Sequence, residues 1–135
     1  MPPEAMAVVK RSTPRRTSLD DERALYRRAV DTYLATCYRE RSRATASEFA
    51  QGFGVTGPSL TRIFRRLFGQ TPLQYFRLRQ LQHAAELLER SSRSMDEIAV
   101  RSALGTRATL FRLFVERFGM TPEEYRRKGA HAGKK

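Results

Sequence analysis

Between Glu48 and Glu86 the chain carries Arg62, Arg65, Arg66, Arg77 and Arg79 and not one acidic residue. A guanidinium is a planar fork of donors that fits a phosphate, or the O6/N7 edge of guanine, with two hydrogen bonds at once. An acid-free run of such groups is chemistry for a polyanion. A genome rich in G and C explains 22 arginines against 4 lysines, but it does not explain the missing acids. Catalytic chemistry has no comparable signal. There is no glycine-rich phosphate loop and no paired nucleophile and base, and His83, His131 and the single Cys37 lack metal-ligand spacing. No cofactor, metal or enzymatic activity is expected.

The elements that position these arginines are written twice. Thr45 and Glu48 align with Ser94 and Glu97 at an offset of 49. Leu60, Arg62, Phe64, Phe68, Gly69, Thr71, Pro72 and Tyr75 align with Leu110, Arg112, Phe114, Phe118, Gly119, Thr121, Pro122 and Tyr125 at an offset of 50. Each copy opens with a hydroxyl and a glutamate at capping-box spacing, which predicts short helices over 46–52 and 95–102. A turn follows, Gly54-Val55-Thr56 or Leu104-Gly105-Thr106. Second helices are predicted over 57–68 and 107–118, with Leu60, Phe64, Leu67 and Phe68, or Leu110, Phe114 and Phe118, facing a core. Short helix, tight turn and second helix form the helix-turn-helix pattern. Gly69 and Gly119 suit a left-handed helix end, and Thr71-Pro72 and Thr121-Pro122 start the next helices, 72–90 and 122–128. A further helix runs from the Ser18 cap to about Arg41, with Tyr26, Val30, Tyr33 and Cys37 as its apolar stripe. The expected fold is all-α, about seven helices, with two helix-turn-helix units joined by a long linker helix.

The net charge of +12 is concentrated at the ends. Residues 1–17 hold Lys10, Arg11, Arg15 and Arg16 against Glu4 and read as a flexible basic arm. Residues 129–135 read as a disordered basic tail. The intervening organisation is expected to be 18–71 for the N-terminal helix and first unit, 72–90 for the linker, and 91–128 for the second unit with its closing helix. No stretch approaches the roughly 20 apolar residues of a membrane span, and the N-terminus lacks the apolar core of a signal peptide. A cytoplasmic address is expected, which a lone cysteine fits.

Duplication itself constrains the partner. A helix over 72–90, at 1.5 Å per residue, spans roughly 28 Å. Successive major-groove faces on one side of B-form DNA lie about 34 Å apart. Double-stranded DNA is therefore the expected partner, gripped by two helices in adjacent major grooves at an asymmetric site.

From about Thr45 to Lys128 the residues resemble the DNA-binding module of the AraC/XylS family of bacterial transcription regulators. Both Phe-Gly-x-Thr-Pro-x-x-Tyr segments carry the resemblance, with Leu60-x-Arg62-x-Phe64, Leu81-x-x-Ala84-x-x-Leu87-Leu88 and Thr121-Pro-Glu-Glu-Tyr-Arg126. The chain is similar to the short, single-module MarA-type members. The resemblance implies monomeric binding to a promoter, contact with RNA polymerase and, usually, activation. It places base contacts on the exposed first half of each second helix: Pro58, Thr61 and Arg62 in the first unit, with Ser59 also at the DNA. In the second unit Arg107, Thr109 and Arg112 occupy contact positions that would read bases or phosphate, with Thr106 beside them at the DNA. Arg65 and Arg66, further along the first of these helices, would meet phosphate. Thr56 at its start either binds phosphate or serves as a plain N-cap.

The second unit departs from the family pattern. Phe111 stands where a small polar residue is usual, Ala103-Leu104 replaces a Gly-Phe turn, and Val115-Glu116 follows Phe114 where a basic residue is expected. Gln80 stands where arginine is common, with Arg79 one place earlier. Phe111, Leu113 and Val115 together read as a partner-facing or core surface. A protein-interaction adaptor, or a nonspecific nucleic-acid binder on the same scaffold, is therefore the alternative function.

Overall fold

Helix boundaries in this chain are set by hydroxyl caps at one end and glycines at the other. The computed structural model describes residues 18–133; the arm read at 1–17 and the tail residues Lys134 and Lys135 lie outside them. Among the described residues there are seven helices and no strand: α1 (Leu19–Glu40), α2 (Ala46–Phe53), α3 (Gly57–Phe68), α4 (Pro72–Arg90), α5 (Met95–Arg101), α6 (Arg107–Phe118) and α7 (Pro122–Gly133). The all-α architecture expected from the sequence is what forms. The closing helix differs, running to Gly133 rather than ending at Lys128. Gly129 does not stop it: the helix passes through that residue, where an added Cβ would sit 3.5 Å from the Glu89 side chain.

The caps differ from expectation in their wiring. Thr45 and Ser94 accept from the backbone N–H of Glu48 (3.2 Å) and Glu97 (3.1 Å) as a capping box requires. The return bonds are absent. The Thr45 N–H donates to the Tyr33 hydroxyl at 2.9 Å, and that hydroxyl lies 2.6 Å from Glu48 Oε1, so a tyrosine oxygen fills the gap. Glu97 instead accepts from Arg93 (2.6 Å) and Arg101 (3.0 Å). The Arg101 bond, with Arg93 beside it, holds its carboxyl below the usual range. Complete reciprocal boxes form one element later, between Thr71 and Gln74 and between Thr121 and Glu124.

The helices sort into two compact units, with the division falling inside α1 and inside α4. The first holds the chain up to Thr36 together with Ala44–Phe76, and aromatic rings dominate its core. Phe64 is fully buried and lies within 5.3–6.3 Å of Tyr26, Phe49, Phe68, Tyr75 and Phe76, mostly edge to face. Such tilted contacts place a positive ring edge on a negative face. Burial, with the Glu22 charge nearby, pushes the Tyr26 phenol up to about 12, so it stays neutral.

The second unit holds Cys37–Arg43 and the chain from Arg77 onward. Its core is mainly aliphatic: Leu81, Ala84, Leu88, Ile98, Leu104 and Leu110 around Phe114, with Leu113, Phe118 and Tyr125 packed at the margin. Cys37 is buried as expected. His83 is half-buried and stacks on Tyr38 at 4.2 Å; burial lowers its pKa.

The two helix-turn-helix turns are built differently. Gly54 ends α2 with φ 79°, a left-handed conformation that costs glycine nothing. Its counterpart in the second unit, Ala103, adopts φ 61°, where an L side chain crowds the following carbonyl. Ala103→Gly is therefore expected to raise stability by about 1 kcal/mol in urea denaturation, because alanine at positive φ costs more than the chain entropy glycine adds. A loss of stability would show that packing of the buried Ala103 methyl outweighs the backbone strain.

Candidate nucleic-acid interface

Helix α3 begins at Thr56, whose extended backbone and side-chain oxygen, 3.2 Å from the Ser59 N–H, make it an N-cap. Gly57 and Pro58 are exposed, and with Ser59, Thr61 and Arg62 they form the outward first turns. The Thr61 hydroxyl is turned back to the Gly57 carbonyl (3.2 Å), whereas Arg62 projects outward with one nitrogen 3.3 Å from Ser59 Oγ. Leu60, Phe64 and Leu67 bury the opposite face, so packing fixes which way Arg62 and Arg65 point. Neither is ion-paired among the described residues. Arg66 is different: it forks onto both carboxylate oxygens of Glu22 at 2.9 and 3.5 Å, and this bond raises its pKa.

Helix α6 repeats the geometry with other chemistry. Thr106 caps it, accepting from the Thr109 N–H at 3.1 Å and donating its own hydroxyl to Thr109 Oγ1 at 3.0 Å. Arg107 and Arg112 are 60% and 63% exposed, and each has a carboxylate nearby, Glu123 at 3.7 Å and Glu116 at 3.9 Å. Exposed ion pairs at such distances are worth 1 kcal/mol at most. They still leave the outer face of α6 nearly neutral where that of α3 is cationic. Leu113 packs half-buried against the margin of the core, unlike Phe111 and Val115, which are 48% and 36% exposed.

Basic residues outside these helices tie down helix ends. Arg23 donates to the Leu67 carbonyl (2.7 Å) and Arg126 to those of Leu88 and Ser91 (both 3.1 Å), satisfying helix ends that lack partners of their own. Gln80 is fully buried. Its amide donates to the carbonyls of Ser102 (3.2 Å) and Ala103 (3.0 Å), while its oxygen accepts from Arg77 (3.2 Å). It thus clamps the turn ahead of α6, and the departure from arginine at this position is a structural one. Burial, then the charges of Arg43 and Arg112, pulls the Arg77 guanidinium below its ordinary pKa.

A family model described as a helix-turn-helix domain matches residues 49–128, which hold both turn-and-helix pairs. The probable transcription factor PqrA of Proteus vulgaris is 36% identical over 97 residues, 72% of this chain and 80% of PqrA. The chain belongs to the AraC/XylS-type helix-turn-helix family. The HTH-type transcriptional regulator Rv1931c of Mycobacterium tuberculosis is 31% identical over 80 residues; these are 59% of this chain but 31% of that relative, so the chain spans about a third of its length. Among solved structures, the DNA-binding domain of AdpA, a global transcriptional factor crystallised with a target DNA, superposes with a TM-score of 0.65 at 26% identity. The match covers 74% of this chain and 91% of AdpA's domain. An AraC-type regulator from Chromobacterium violaceum shares the fold at TM-score 0.67 and 22% identity, covering 76% of this chain and 89% of that one.

Within this AraC/XylS-type frame, α3 and α6 are the second helices of the two turn motifs. The residues expected on them are brought together as two separate outward faces, one per unit. Sequence reasoning missed the Glu22–Arg66 pair, the Tyr33 bridge and the Gln80 clamp. No local pattern announces them, since each joins residues at least 12 positions apart. The boxes at Thr71-Pro-Leu-Gln74 and Thr121-Pro-Glu-Glu124 had a signal, the hydroxyl followed three places later by Gln or Glu.

Proposed function

We propose that the chain is a sequence-specific, double-stranded-DNA-binding regulator of transcription, acting as an activator. It binds as a monomer, with α3 and α6 entering adjacent major grooves and RNA polymerase as its protein partner. The observation that carries this reading is the outer face of α3, where Arg62 and Arg65 stand exposed without a carboxylate partner among the described residues, on a helix anchored by a buried aromatic core. Bases would be read by Arg62 with Pro58, Ser59 and Thr61, and phosphate met by Arg65 and the α3 start at Thr56, with Arg66 held back by Glu22. On α6 the contacts would come from Thr106, Arg107, Thr109 and Arg112. AdpA's related domain, crystallised on its target DNA, supports the assignment. The two turn-and-helix motifs in one chain and α4's roughly 28 Å support monomeric engagement of an asymmetric site.

Selection of bound duplexes from a random pool tests this directly. An asymmetric consensus with two separated conserved blocks is expected. Enrichment of no sequence over any other would favour nonspecific binding driven by charge.

Glu22 supplies a second check. Its carboxylate neutralises Arg66, so Glu22→Gln is expected to strengthen binding severalfold and to steepen the dependence of log K on log salt by roughly 0.9, one phosphate contact. Weaker binding with an unchanged slope would mean that Glu22 aims Arg66 rather than withholding it.

A further inference from the structure

The repeat places Phe111 and Val115 of α6 at the positions that Thr61 and Arg65 hold on α3. Both are large apolar side chains left in solvent, 48% and 36% exposed, and four residues apart they share one helix face. Leu110 and Phe114 of the same helix are buried and Leu113 packs against the core's margin, so their exposure is not a general looseness of the helix. Arg112, adjoining Phe111, is exposed beside them.

Two side chains of this exposure offer far less than the roughly 800 Å² per partner that a stable protein interface buries. They do match a much smaller apolar target. In the major groove the one apolar group on a base edge is the C5-methyl of thymine, and phenylalanine and other apolar side chains are its natural contacts. We propose that α6 reads a thymine methyl group through Phe111, so that the second half-site is selected for A·T pairs by shape and apolar contact rather than by guanidinium forks. This rests on the DNA-binding function proposed above and specifies which base edge the second unit takes. The first unit, with Arg62 and Arg65 at its face, keeps the polar readout.

The experiment replaces single thymines in the selected duplex with deoxyuridine, which deletes one methyl and leaves pairing intact. Affinity of the full chain is measured for each replacement. At one thymine in the second block the loss is expected to be about fourfold, the free energy of one buried CH2 group. Phe111→Ala should weaken binding to the unmodified duplex and erase the difference between thymine and uracil, while Phe111→Leu retains part of that difference. Both substitutions are at the surface, and unchanged thermal melting would confirm an intact fold. A second block without thymine, uracil tolerated everywhere, or a uracil penalty that survives Phe111→Ala would each overturn the inference while leaving specific DNA binding intact. So would Phe111→Ala abolishing self-association in sedimentation without touching DNA affinity, since the patch would then be a contact between copies. A pool yielding no consensus would overturn both this inference and the function on which it rests.

Discussion

Arg62→Ala is expected to lower affinity for the selected duplex by about 1–3 kcal/mol, roughly 5- to 150-fold, and to relax preference at one base pair of the first block. The size follows from geometry. Arg62 stands on the outer face of α3, opposite the buried Leu60, Phe64 and Leu67, and among the described residues its side chain is tied only by a 3.3 Å bond to Ser59 Oγ. Little must be broken for it to reach a base edge, so most of the energy of a bidentate contact would appear as affinity. Arg65→Ala provides the contrast. One turn further on, it would meet phosphate, and its loss should weaken all duplexes alike and reduce the salt slope by about one contact. Equal losses for Arg62→Ala on selected and random duplexes would make Arg62 a phosphate contact as well, and the readout would have to be assigned elsewhere.

Phe64→Ala is expected to cost about 3–5 kcal/mol in urea denaturation. The ring is wholly buried and meets five others, so its removal leaves a cavity that rigid aromatic neighbours fill poorly. Domains of this size are stable by only about 5–15 kcal/mol, so the loss is a large share of the total. Because Phe64 lies on α3 itself, DNA binding should fail in parallel with the fold. Excess DNA should recover part of both, since a ligand bound only to the native state stabilises it. A cost below about 1 kcal/mol would mean that the surrounding rings close over the gap.

Much of this was legible from residue order. The bounds of α3, α4 and α6 follow from Thr56, Gly69, Thr71-Pro72, Thr106 and Gly119, because caps and left-handed ends are local chemistry. The inward positions Leu60, Phe64, Leu110 and Phe114 follow from helical period, and all four are buried. Phe68 and Phe118, given the same inward role, end at the margin of their cores, half-buried in the last turn. What periodicity could not deliver was the partner of each polar group. Glu48 and Glu97 had the spacing to close capping boxes, yet a tyrosine from α1 and two flanking arginines compete better for their carboxylates. Arg66 looked like Arg65 in sequence and differs only because Glu22 reaches it from α1. The outward faces of the two second helices follow from the same helical period.

The uneven sharing of rings between the two cores has a practical side. The chain contains no tryptophan, so its near-ultraviolet circular dichroism comes from tyrosine and phenylalanine held in fixed asymmetric surroundings. Tyr26, Phe49, Phe53, Phe64, Tyr75 and Phe76 all belong to the first unit's interior. That spectral window thus follows chiefly one half of the molecule, while the peptide bands follow both, giving an unlabelled optical means of asking whether the halves melt together.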